Sequence, residues 1–82
     1  MVVVLIPSLL AAQASGQGRF EIDAATLGDA LHALPIADLL FDERGELRPL
    51  VNPFVDKSLE RDLTTPLQAQ SEVRVVAAIA GG

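Results

Sequence analysis

The sequence predicts an α+β fold, a mixed sheet whose elements run β-β-α-β-β-β along the chain with one main helix packed on one face. Two apolar runs near the chain ends, Val2-Val3-Val4-Leu5-Ile6 and Val73-Arg74-Val75-Val76-Ala77-Ala78-Ile79-Ala80, are the first observation. Short runs this rich in valine fit buried strands. Between them, Leu27, Ala30, Leu31 and Leu34 fall at i, i+3, i+4 and i+7, the spacing of one buried helical stripe. Length sets the third limit: 82 residues, 50% of them apolar, supply a single core and no room for a deep catalytic cleft. Residues 1–78 are expected to form the domain and 79–82 a flexible tail ending in Gly-Gly.

The first run is closed by Pro7. Met1 to Ala12 imitates a secretory leader, but no Lys or Arg precedes the apolar run and Pro7 interrupts it, so a strand is expected. The run is also too short for a membrane span, which needs about 20 apolar residues. Gln13 to Gly18 is a small-residue loop whose two glycines can reverse the chain. Arg19-Phe20-Glu21-Ile22-Asp23 then alternates, with Phe20 and Ile22 on one face, and should close a hairpin. Thr26 is placed to cap the helix, with Asp29 in its first turn. Pro35 to Phe41 reads as a further helical turn with Pro35 at its first position, where the missing amide costs least. Asp42 to Glu46 is a polar turn, and Leu47 to Val55 is extended. Pro49 and Pro53 each remove a ladder donor, so this strand is irregular or at an edge. Asp56-Lys57-Ser58 turns, Leu59-Glu60 can form a two-residue strand, and Thr65-Pro66-Leu67 makes a tight connection. The two end strands, each expected to be buried on both faces, should be neighbours at the centre of the sheet.

Composition excludes several functions. No cysteine means no disulfide, thiolate metal site or cysteine nucleophile, in keeping with a reducing, cytoplasmic setting. A net charge of −5 repels phosphate backbones, and three Phe with no Tyr or Trp leave no stacking platform, so neither nucleic acid nor an anionic membrane is an expected partner. His32 is the only histidine and should lie on the exposed helix flank. Asp42, Glu43 and Glu46 lack the spacing of a calcium loop, and no metal site is expected. Asp56 with Glu60 or Asp62 has no cleft to raise a carboxyl pKa. Ser8, Ser15, Ser58 and Ser71 fall in turns or loops with no nucleophile elbow around them. Gly16-Gln17-Gly18 does not lead into a helix carrying lysine and is no phosphate loop.

The last two residues remain. Gly-Gly arises by chance at this place in roughly 0.5% of chains at average glycine usage, so composition alone does not account for it. With no Cβ, Gly81-Gly82 is thin enough to enter a narrow channel and bring a free carboxylate to another protein's active site. A frayed or truncated end is the alternative.

Three stretches carry a family resemblance. Glu72 to Gly82 is similar to the closing strand and tail of the ubiquitin-like β-grasp sulfur carriers. Leu50-Val51-Asn52-Pro53-Phe54-Val55-Asp56 resembles their central extended segment, and Thr26-Leu27-Gly28-Asp29-Ala30-Leu31 the start of their long helix. The chain departs from the pattern at Pro53 and Ala77 and in a shorter Pro35 to Phe41 segment. It looks nearest to the cysteine-biosynthesis carrier. The resemblance implies a β-grasp protein that is a co-substrate rather than an enzyme and holds no cofactor. A ubiquitin-activating-type adenylyltransferase would use ATP and magnesium to adenylate the Gly82 carboxylate and convert it to a thiocarboxylate. A synthase, such as a cysteine or thiazole synthase, would then accept the sulfur. By position, Gly82 is the reacting end, Gly81 clears the channel, and Ile79 and Ala80 are gripped by the partner. Apolar side chains left open on the sheet would form the contact patch. A protein modifier conjugated through the same glycine and a passive β-grasp interaction module are the alternatives.

Overall fold

The computed structural model describes residues 1–77. Five strands, β1 (Val2–Leu5), β2 (Arg19–Ile22), β3 (Val51–Val55), β4 (Ser58–Leu59) and β5 (Glu72–Ala77), make one sheet in the order β2-β1-β5-β3-β4. Three short helices, α1 (Ser8–Ala11), α2 (Leu27–His32) and α3 (Ala37–Leu40), accompany it. The two end strands are central neighbours, as their apolar character requires, and run parallel with Val4 beside Val73. The other strand pairs are antiparallel.

One face of the sheet is covered. Val2, Val4, Val73, Val75, Val51 and Pro53 pack there against Leu27, Ala30, Leu31, Leu34, Ile36 and Leu40, all buried. The stripe at i, i+3, i+4 and i+7 is therefore the inner face of α2 and the turn after it. Thr26 caps α2 as expected, its Oγ1 accepting from the Asp29 amide at 3.2 Å. The next orphan amides find partners outside the helix: Leu27 N–H donates to Thr65 O and Gly28 N–H to Leu63 O. Gly28 makes this approach possible, since a Cβ there would stand 3.0 Å from the Leu63 carbonyl oxygen.

Five expectations need correction. The β1–β2 connection is no plain loop: α1 and a 3-10 turn (Ala12–Ala14) fill it, because Leu10, Ala11 and Ala14 reach the core. Ser8 thus begins a helix, and the reversal falls at Ser15 (φ 58°) and Gly16 (φ 85°). Pro35 precedes α3 rather than opening it, with Ile36 at the N-cap. The third strand begins at Val51, after a turn in which Val51 N–H bonds Arg48 O, so only an isolated Phe41–Leu47 bridge marks the segment before it. The two-residue strand is Ser58–Leu59, which places Ser58 on a strand. The central strands are buried on one face only: in β1 and β5 buried residues alternate with more accessible ones, because all three helices contribute their buried residues to the same side.

Pro53 sits within β3 at no cost to the β3–β5 ladder. Residues directly opposite alternate between hydrogen-bonded and non-bonded pairs. Val51 and Pro53 both direct their backbone groups away from β5: Val51 donates to Arg48 O, and Pro53 O accepts from Glu60 N–H. The donor that Pro53 lacks would have pointed to the strand's outer edge.

Candidate functional site

The uncovered face of the sheet is the candidate surface. Register aligns Arg19, Leu5, Arg74, Phe54 and Leu59 in a single cross-strand row over all five strands. At strand spacing the row spans about 19 Å. Val3 and Val76 flank it on the same face, and Leu59 and Val76 are 51% and 44% exposed. Apolar side chains left open this way exceed what a covered sheet would show. Two arginines break the row. Arg19 pairs with Glu21 at 3.5 Å, whereas Arg74, exposed between Leu5 and Phe54, has no ion-pair partner among the described residues. Val3 itself stands between Glu21 and Glu72, so the surface mixes apolar side chains with charges of both signs, and Arg74 at its centre forms no ion pair among the described residues.

This face includes β5, the last strand of the described residues. Arg74 lies three residues, about 10 Å of strand, before Ala77. Ile79, Ala80, Gly81 and Gly82, the residues singled out in the sequence, lie outside the described residues.

The polar groups considered for chemistry are held in turns. Asp42 Oδ1 accepts from the Glu46 and Arg44 amides. The Glu46 bond leads in holding this carboxyl below its ordinary pKa, assisted by the Arg44 amide and the Arg44 and Arg48 charges. Asp62 lies below its ordinary value through the Thr64 hydroxyl, 2.6 Å away, and then the Thr64 amide. Both are solvated turn caps. Asp56 accepts from the Glu72 amide and does not pair with Glu60 or Asp62. No group of three metal-ligating side chains occurs among the described residues. Among the described residues, no helix is long and apolar enough to cross a membrane. His32 is exposed, as its helix position predicts, but it stacks on Phe41 with ring centroids 3.9 Å apart and 8° between the planes. Sequence reasoning did not single out Arg74. Alternation in Val73-Arg74-Val75 already turned it away from the core, but only the strand order set it between Leu5 and Phe54.

A five-stranded mixed sheet with helices on one face and parallel end strands at its centre defines a ubiquitin-like β-grasp protein. No protein-family model matches the sequence, and no curated protein does. Solved structures do match. CysO of Mycobacterium tuberculosis superposes with a TM-score of 0.84 at 27% identity, covering 96% of this chain and 100% of that one. SAMP1 of Haloferax volcanii gives 0.79 at 27%, over 99% and 98%. A chain of the Amycolatopsis orientalis BexX/CysO complex shares the fold at 0.81 and 21%, over the full length of both. These neighbours support the resemblance to the ubiquitin-like sulfur-carrier family read from the closing strand and central segment.

Proposed function

We propose that this chain is a sulfur carrier that reacts at the carboxylate of Gly82. The observation that carries the proposal is the CysO-like fold combined with a final strand that runs toward Gly81-Gly82 beside an uncovered apolar face. A carboxylate is a poor electrophile. An activating enzyme of the ubiquitin-activating type would join it to the α-phosphate of ATP, releasing pyrophosphate, and the resulting acyl adenylate has AMP as a good leaving group. Attack by a sulfide-level donor forms the C–S bond, breaks the C–O bond to AMP and leaves a thiocarboxylate. ATP, magnesium and the catalytic groups belong to the partner. This chain contributes the acyl end and the docking face, on which Leu5, Phe54, Leu59 and Val76 supply apolar area and Arg74 selects a partner carrying an acidic side chain. Five residues beyond Ala77 span at most about 17 Å, enough for a docked body to present its end to a recessed active site. The thiocarboxylate would then donate its sulfur in cysteine, cofactor or specialised-metabolite biosynthesis.

The likeness to a small archaeal modifier protein of H. volcanii, at 25% identity and a TM-score of 0.77, favours one further reading. In that reading the same adenylate is captured by a lysine amine to give an isopeptide bond. Intact-mass measurement after incubation with the activating enzyme, ATP, magnesium and sulfide separates the two. A gain of about 16 Da, one oxygen exchanged for sulfur, supports the carrier. High-mass conjugates support the modifier. Absence of both, or a native gene product that continues past Gly82, refutes tail-based chemistry.

A further inference from the structure

The two edges of the sheet are unequal. One is the short β4, Ser58–Leu59, whereas the other is β2, Arg19–Ile22. Ile6 N–H donates to Gly18 O, which places Phe20 and Ile22 in the hydrogen-bonded pairs with β1 and turns the backbone groups of Arg19 and Glu21 out of the sheet. Val3 agrees, since its N–H points the other way, to Ser71 O. Among the described residues Arg19 O accepts only from Gln17 Nε2, at 3.0 Å, and the Arg19 N–H and both Glu21 backbone groups have no partner. Residues 78–82 are too few to line this edge. Arg74 and Arg19 share a row with β1 between them, so from Ala77 the outer side of β2 lies about 10 Å back along the strands and about 14 Å across them. Five extended residues would be used up in arriving.

An open edge invites another strand, and proteins ordinarily blunt it with charge, lysine above all. Here the edge carries one arginine and one glutamate, both exposed and 3.5 Å apart. That pattern is self-complementary. Set antiparallel to a second copy of itself about an axis through Phe20, Arg19 stands opposite Glu21 of the second copy, and Glu21 opposite its Arg19. Both are pairs whose outward groups exchange N–H···O bonds. Phe20, half-buried against the core, meets its own counterpart in the closer, non-bonded pair, where aromatic side chains gain most. Sliding the second copy by two residues either way sets Arg19 against Arg19 or Glu21 against Glu21, which like charge disfavours. Charge therefore selects one register.

We infer that β2 is a self-association edge: two copies of this chain join through antiparallel β2 strands, each Arg19 opposite the other copy's Glu21. The axis stands perpendicular to the sheet, so both open faces stay uncovered and point the same way, and the inference does not depend on the carrier function. Strands this short bury little area, which makes the dimer weak and its population dependent on concentration. The test is a dilution series of the intact chain, starting at about 1 mM, where even a millimolar Kd fills a measurable fraction. It is run in about 0.15 M salt, which screens repulsion between two chains of net charge −5 beyond about 8 Å but spares charges in contact. At the high end the sedimenting mass should rise above 8.6 kDa toward twice that value. The Arg19 and Glu21 amide resonances should move with concentration while those of Leu59 and Val73 hold still. Arg19→Glu and Glu21→Arg should each weaken association at least about tenfold, because two-fold symmetry counts every like-charge pair twice. The double exchange should restore it, and an equimolar mixture of the two single variants should associate where neither does alone. A chain that stays monomeric at the highest concentration overturns the inference. So does association that both single variants leave unchanged, or a concentration-dependent shift centred on the open face or on β4.

Discussion

Gly28→Ala sets two effects of opposite sign against each other, and the structure decides between them. Gly28 lies in the first turn of α2, where replacing glycine by alanine ordinarily stabilises a helix by about 1 kcal/mol. Here the added Cβ would meet Leu63 O at 3.0 Å and Leu63 Cβ at 3.2 Å. Relief requires the Leu63 backbone to retreat. That backbone is held by the 2.8 Å bond from Gly28 N–H itself and by its neighbours, since Leu27 N–H bonds Thr65 O and Leu67 N–H bonds Ala25 O. Overpacking of a constrained site costs about 1–3 kcal/mol. Subtracting the helix gain leaves a net loss of about 1 kcal/mol, which lowers the Tm of a domain this size by about 4–8 °C. Thermal unfolding followed by circular dichroism reads this directly. Gly18→Ala is the control, because its Cβ would find only ordinary contacts at 3.6 Å and should change stability by less than about 0.5 kcal/mol. A Gly28→Ala protein that melts at or above the unaltered temperature would show that helix propensity wins and that the α2 contact with the 63–65 segment is loose.

Thr26→Ala removes the α2 cap and should cost about 1 kcal/mol, read as a lower urea midpoint with an unchanged slope. Arg74→Glu reverses the charge at the centre of the open face; the Tm should hold while the Kd for the activating enzyme rises at least about tenfold by calorimetry, and an unaltered Kd would remove this face from the interface. Asp42 and Asp62 both have carboxyls held below the ordinary value, so the stability they confer is present above their unfolded pKa of 3.8 and is lost as pH falls through the lower folded values. The Asp42→Asn, Asp62→Asn double variant should therefore lose less stability than the unaltered chain as the medium is taken below that value. Superimposable acid unfolding curves would refute this.

The open face accounts for the sequence pattern in both end strands. Runs of valine read as if buried twice, yet Val3 and Val76 face outward while Val2, Val4, Val73 and Val75 supply the core. A β-branched residue serves a pleated surface on either side, so propensity does not distinguish a buried face from an open one.

Local pattern sufficed wherever the cause was local. The α2 stripe, its Thr26 cap, the alternation of Arg19 to Asp23 and the polar turn at Asp42 each depend on residues within a few positions, and each was legible. The Gly-Gly pair, with Ile79 and Ala80 before it, is known from the sequence only. Tertiary structure decided what depends on distant parts meeting. Leu10, Ala11 and Ala14 formed a helical turn because the core had space for them, and Pro53 proved harmless because its empty donor position faces the edge. Arg74 entered a five-strand row, and Arg61 found carbonyls ten to fourteen positions away. Periodicity records which side a residue turns to within its own element, while register and loop path set what stands opposite; those are fixed only when separate elements compete for one core.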